Sequence, residues 1–279
     1  MQTDHRHVSE RTASERLDLR VGELVEVRSE QEILATLDEH GRLDGMPFMP
    51  ELLQFAGQRL RVDKRAIKAC DTIGTATLHA ETRTEPAGSS EPIYACQATE
   101  MPKAAPTHLR GFDLGQYTRD VTSGNARPLP MLRSLLILVF NKFQSLNRRL
   151  LPRLLLVHGG ASYPFIDGKV RGRTPKETFD LQAGELVEVK SAEEIFETLD
   201  RTGSNRGVRF DGEMLKYCGR RARVLRRVDQ IINEKTGRML RLPGDCILLE
   251  GVICTGDYHQ FCPRGIYPYW REIWLRRVQ

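Results

Sequence analysis

The chain has 279 residues, 42 Lys plus Arg against 37 Asp plus Glu, and six cysteines. At about 150 residues per domain that length predicts roughly two domains, and 40% apolar with 28% charged residues is an ordinary globular composition. A chain of this size can bury a core without disulfide staples, which excludes a knottin-like secreted peptide, a collagen-like fibre and a fully disordered tail.

Residues 1–16 are polar and charged and hold no apolar signal core, so a flexible N-terminus and a cytoplasmic location are expected. In that reducing compartment cysteines read as small hydrophobes or metal ligands before they read as bridges. The best apolar run, Leu135–Phe140, ends at Asn141-Lys142 and is far short of the roughly 18 residues of a membrane span. A net charge of +5 permits an acidic partner without demanding one.

Residues Leu17–Asp71 align without a gap on Phe179–Asn233, at a constant offset of 162. Gly22-Glu23-Leu24-Val25-Glu26-Val27 matches Gly184-Glu185-Leu186-Val187-Glu188-Val189. Ser29/Ser191, Ile33/Ile195, Phe48/Phe210, Glu51/Glu213 and Gly57/Gly219 continue the match. Roughly two dozen identities in about 55 positions establish two copies of one module. In each copy a Gly turn leads into a short strand, and Ser29 with Glu32, or Ser191 with Glu194, forms the capping box of a short helix. Cys246–Cys254 reads as a buried strand, and the chain closes on Trp270-Arg271-Glu272-Ile273-Trp274-Leu275.

Short strands, turn signals and one small helix per copy predict a mainly β protein with short helices (α+β), made of two tandem SH3-like small barrels. The modules are expected at residues 17–102 and 177–279. The joining segment, 103–176, contains one long amphipathic helix over about 130–151, with Leu132, Leu135, Leu136, Val139, Phe140, Phe143 and Leu146 at helical spacing. Arg133, Lys142, Arg148, Arg149 and Arg153 give it a basic flank. An interdomain helix burying its leucines on both modules is the favoured reading, and a peripheral membrane helix is the alternative.

Chemistry concentrates near the C-terminus. Cys254 and Cys262 bracket a loop that contains His259, and thiolates with imidazole are the ligands zinc and iron–sulfur clusters prefer. Cys246 sits a strand's length from Cys254 and reads as core, and Cys218 reads as packing because Ala56 replaces it in the first copy. Glu51 and Glu213 are acid–base candidates whose recurrence suits a structural role equally well. Arg220, Arg221, Arg223, Arg226 and Arg227 lie on one strand and form a weak anion-binding footprint. The aromatic cluster Tyr258, Phe261, Tyr267, Tyr269, Trp270 and Trp274 reads either as a stacking platform or as a barrel core.

The run Gly251-Val252-Ile253-Cys254-Thr255-Gly256-Asp257-Tyr258-His259, followed by Phe261-Cys262-Pro263-Arg264 and Tyr269-Trp270-Arg271-Glu272-Ile273-Trp274-Leu275, resembles the C-terminal signature of a widespread family of uncharacterised bacterial proteins. Members carry one or two cysteine-containing modules, and the resemblance covers most of this chain. It implies a four-cysteine pattern that is split here. The first copy keeps Cys70 and Cys96 but has Thr84 and Glu100 at the other two positions; the second keeps Cys254 and Cys262 but has Ile232 and Ile266.

The resemblance therefore implies Cys70, Cys96, Cys254, His259 and Cys262 as metal ligands, with zinc favoured and an iron–sulfur cluster as the alternative. The function expected is that of a metal-binding accessory or binding protein of a bacterial biosynthetic pathway, with a protein or small-molecule partner. A metal-dependent enzyme and a nucleic-acid or anionic-polymer binder are the other readings.

Overall fold

The computed structural model describes residues 17–66, 81–83, 91–104, 113–148 and 150–278. The duplication reappears in the backbone at the same offset. The first copy runs β1 (Leu24–Glu26), α1 (Glu30–Leu34), a hairpin of β2 (Arg42–Leu43) and β3 (Met46–Pro47), a 3₁₀ turn over Pro50–Phe55, and β4 (Arg59–Arg61). A hairpin of β5 (Glu81–Arg83) and β6 (Ile93–Ala95) follows, then α2 (Gln97–Ala104), α3 (Leu114–Thr122) and α4 (Pro128–Asn147). The second copy runs β7 (Leu186–Val189), α5 (Ala192–Phe196), β8 (Ser204–Asn205), β9 (Val208–Arg209), a 3₁₀ turn over Gly212–Tyr217 and β10 (Arg221–Ile232). It continues into β11 (Met239–Leu249), β12 (Trp270–Arg271) and β13 (Leu275–Arg277).

Local rules explain the repeated parts. Ser29 and Ser191 each accept the N3 backbone N–H, and Glu32 and Glu194 accept the cap's own N–H in return, so both capping boxes are complete. Thr36 and Thr198 donate to Ile33 and Ile195 carbonyls at 2.7 Å in both copies. Asp44 and Arg206 take φ of 50° and 46° at the matching hairpin turns, so even the left-handed position is conserved by the duplication.

The expectation of two closed barrels is overturned. The described strands form one open five-stranded sheet, β12-β11-β10-β7-β13, and four separate two-stranded ladders. Among the described residues the first copy shows a β1–β4 pair, and the strands that extend the sheet lie in the second copy. Both tryptophans of the chain, Trp270 and Trp274, belong to that completing segment. The single strand read over Cys246–Cys254 is also corrected. It spans Met239–Leu249, and Cys254 falls beyond a turn at Glu250-Gly251.

The expected amphipathic helix is corrected as well. A helix forms at Pro128–Asn147, but it is apolar around most of its circumference and buries fully only Met131 and Gln144. Leu132, Leu136, Val139, Phe143 and Leu146 are each more than half exposed, so the leucine face is not packed on the two modules.

The main core is therefore the second copy's. Val187, Val189, Ile195, Phe210, Trp270 and Trp274 have no exposure, and Phe210 stands edge-on to both tryptophans at 6.2 and 5.5 Å. Trp270 and Trp274 are thus core side chains. The Trp274 indole N–H donates to Thr198 Oγ1 at 2.9 Å. Cys246 is fully buried opposite Val228 and Arg271, and Cys218 packs at the margin of the main core. The repeats then give an internal control. Ile195→Ala should cost about 3 kcal/mol, and Ile33→Ala, half-buried at the equivalent position, about 1 kcal/mol or less, measured as shifts of the denaturation midpoint.

Candidate functional site

The segment from Cys254 to Cys262 is a loop that closes on itself. Gly256 O accepts from the N–H groups of His259 at 2.9 Å and Phe261 at 2.8 Å, and His259 O accepts from Cys262 N at 3.1 Å. Gly256 takes φ of 84°, and a Cβ there would lie 2.8–2.9 Å from the Cys262 backbone, so only glycine fits the crossing.

Glu213, from the 3₁₀ turn, anchors this loop to the core. Its buried carboxylate accepts from Thr255 N at 3.1 Å, Tyr258 N at 2.7 Å and the Thr255 hydroxyl at 2.9 Å. Lys216 Nζ lies 3.3 Å from the same carboxylate and donates to Thr255 Oγ1 at 2.6 Å. Asp257 Oδ2 is a further 2.9 Å from that hydroxyl. The Thr255 hydroxyl thus sits inside a hydrogen-bond network that fixes the loop. Tyr217 reinforces it, donating to Ile253 O at 2.8 Å and accepting from Ile253 N at 3.2 Å.

His259 turns to a carboxylate. Its Nε2 lies 3.1 Å from Asp211 Oδ1. Burial pushes the Asp211 carboxyl up, but the His259 hydrogen bond and charge, with the Glu213 N–H and Arg209, hold it below the usual aspartate value.

On its outer side the loop faces the first half of α4. Ser134 donates to Asp257 O at 2.6 Å, and an open cleft of about 380 Å³ is lined by Leu129, Pro130, Arg133, Ser134, Ile137, Asp257 and Tyr258. Arg133 is held firmly protonated by its hydrogen bond to Tyr163 and by the neighbouring Tyr258 ring oxygen. Asn141 fixes Tyr163 by accepting from its backbone N–H at 2.7 Å and donating to its carbonyl at 2.8 Å. The cleft offers one basic and one acidic side chain, Arg133 and Asp257, beside an apolar wall of Leu129, Pro130 and Ile137.

The sequence-selected ligands separate. Cys254 and Cys262 are buried at the two ends of the loop, and His259 engages Asp211. Cys96 lies elsewhere, in a small cluster with Met49 and Ile232. Cys70 lies outside the described residues, as does Thr84. Among the described residues no three His, Cys, Asp or Glu side chains converge on a point that could hold an ion, so they do not by themselves furnish a complete zinc or iron–sulfur site.

On the basic strand Arg227 meets the fully buried Glu272 and Asp180, Arg221 meets Glu188, and Arg223 donates to Gly184 O.

Lys216, Asp211 and Tyr163 were not singled out by sequence, Arg133 only as part of a basic flank, and Thr255 and Asp257 only within the resemblance motif. Glu213 was singled out through its recurrence at Glu51, and its role is to pin the loop. In the first copy Glu51 Oε2 is buried with no hydrogen-bond partner among the described residues. No family model, no curated protein and no solved structure matches the chain.

Loss of the anchor gives a direct readout. Glu213→Ala should cost about 3 kcal/mol in stability and expose Cys254 and Cys262 to thiol reagents. Cys218, whose thiol burial pushes up to about 11, should stay unlabelled at pH 8 in both proteins, as read by mass spectrometry.

Proposed function

We propose that the chain is an accessory protein that works by binding, and that it docks on an anionic lipid surface through α4. One observation carries this reading. Leu132, Leu136, Val139, Phe143 and Leu146 stand exposed along the helix, and Leu150, Leu154 and Leu155 continue the exposure beyond its end. Soluble monomers rarely leave so many large apolar side chains in water along one element. Residues 121–166 contain no Asp or Glu but include Arg127, Arg133, Lys142, Arg148, Arg149 and Arg153. Each basic residue at an anionic surface contributes about 1 kcal/mol, and the leucines add burial in the acyl boundary. No described helix is long and apolar enough to cross a membrane, so the contact proposed is peripheral. Full-length protein should co-sediment with phosphatidylglycerol-containing vesicles and not with neutral ones, and Leu136→Glu with Val139→Glu should weaken this at least about tenfold. Failure to sediment with anionic vesicles at about 50 mM salt would remove the reading.

A metal-binding role is the second reading, and the observation that favours it is the pair of buried thiols on a loop already closed by its own backbone. Two thiolates are half of a tetrahedral zinc set, and a preformed loop lowers the cost of gathering them. The family resemblance would add Cys70. Protein purified without a metal-binding tag should hold close to one zinc per chain, lost in Cys254→Ser and Cys262→Ser; below about 0.2 equivalents the metal reading fails. Absorbance near about 420 nm would replace zinc by an iron–sulfur cluster.

A further inference from the structure

The second copy records what the first copy's sheet is missing. On β7, the edge away from β10 is occupied by antiparallel β13, with Leu275 opposite Val189, Arg276 opposite Glu188 and Arg277 opposite Val187. Backbone bonds close this pairing from Lys190 N to Trp274 O at 2.9 Å and from Val278 N to Leu186 O at 3.2 Å. Charge sets its register. Arg276 reaches both Glu188 and Glu194, and Arg277 reaches Glu185 at 2.7 Å.

At the offset of 162 the first copy keeps every acceptor of that strand: Val27 for Val189, Val25 for Val187, and Glu26, Glu32 and Glu23 for Glu188, Glu194 and Glu185. β1 pairs with β4 on one edge. Among the described residues its other edge carries no strand. Leu24 is 58% exposed, and Val25 and Val27 are only half-buried where Val187 and Val189 have no exposure. Glu23, Glu26 and Glu32 all face solvent. Glu26 already meets Arg59 at 3.0 Å, but Glu188 likewise meets Arg221 at 3.8 Å and still takes Arg276.

We infer that the outer edge of β1 is a docking site for an extended segment of a partner protein bearing an apolar residue followed by two arginines. The segment adds antiparallel to β1. Its backbone bonds to Leu24 O and Arg28 N, its apolar side chain lies against Val27, and its arginines meet Glu26 with Glu32, and Glu23. Strand addition to an exposed sheet edge supplies affinity through the main chain and selectivity through alternate side chains. The three carboxylates supply the charge complementarity that selects arginine over a neutral strand.

The probe is a fluorescent synthetic peptide of residues 270–279, Trp-Arg-Glu-Ile-Trp-Leu-Arg-Arg-Val-Gln, titrated into the full-length protein. The expected result is saturable binding that weakens about tenfold or more in a Glu23→Arg, Glu26→Arg double variant. A peptide with its Leu-Arg-Arg changed to Leu-Glu-Glu should reverse the preference, binding the double variant and not the parent. These exposed substitutions should leave the thermal midpoint of unfolding near the parent value, which separates lost binding from lost folding. Absence of binding, or equal binding of both peptides by both proteins, overturns the inference. Concentration-dependent dimers of the parent that the double variant abolishes also overturn it, because a second copy would then be the occupant.

Discussion

Everything ordered in the second copy leans on one short segment, residues 270–277. Trp270-Arg271 forms one edge of the sheet against β11, a 3₁₀ turn follows, and Leu275–Arg277 forms the opposite edge against β7. The segment crosses the core between its two pairings, carrying both tryptophans into it. Its polar residues are no less committed. The fully buried Glu272 accepts from the backbone N–H groups of Phe179, Asp180 and Leu181 and from Arg227, and so ties the start of the module to its end. Arg271 meets Asp245 within the same core, where burial raises the aspartate and the guanidinium opposes that rise. Charges desolvated to this degree are tolerated only in pairs, so the Trp-Arg-Glu-Ile-Trp pattern is a packing and pairing motif.

The same constraint positions the candidate site. β11 must turn back at Glu250-Gly251 for the chain to reach β12, and the residues between are long enough to fold on themselves. Glu213 fills the acceptor role there because the loop exposes two backbone N–H groups and one hydroxyl toward the core, and a buried carboxylate satisfies all three. The first copy retains the carboxylate as Glu51 but has no matching Thr-Gly-Asp loop in register. A group that recurs by duplication can thus lose its purpose in one copy while the fold around it survives.

Local signals were legible in sequence. The offset and both capping boxes were read there, and the capping boxes depend on residues within a few positions of each other and repeat faithfully. Long-range placement was not. The two barrels were expected from strand-like alternation in both copies, but alternation specifies a half-buried strand and not the partner that covers it. Helical spacing over about 130–151 gave a helix, found at Pro128–Asn147, but not its environment, because a 3.6-residue period is equally compatible with buried and exposed leucines. The five metal candidates were grouped by pattern. Cys96 departs to another cluster because β6 and Tyr94 are drawn to the far turn of the β10–β11 hairpin, where Tyr94 N donates to Gly237 O at 2.8 Å.

Divergence between the copies also explains where unpaired edges and exposed apolar side chains lie among the described residues. The second copy turns its apolar face on itself, and Arg227, Arg271, Arg276 and Arg277 all meet carboxylates of their own module. The first copy keeps the equivalent valines and glutamates, and among the described residues no strand pairs with the outer edge of β1. Between the copies, α4 holds leucines that no described residue covers fully. The second copy's core holds the 254–262 loop in place, whereas among the described residues β1 keeps an outer edge without a strand and α4 keeps its leucines exposed.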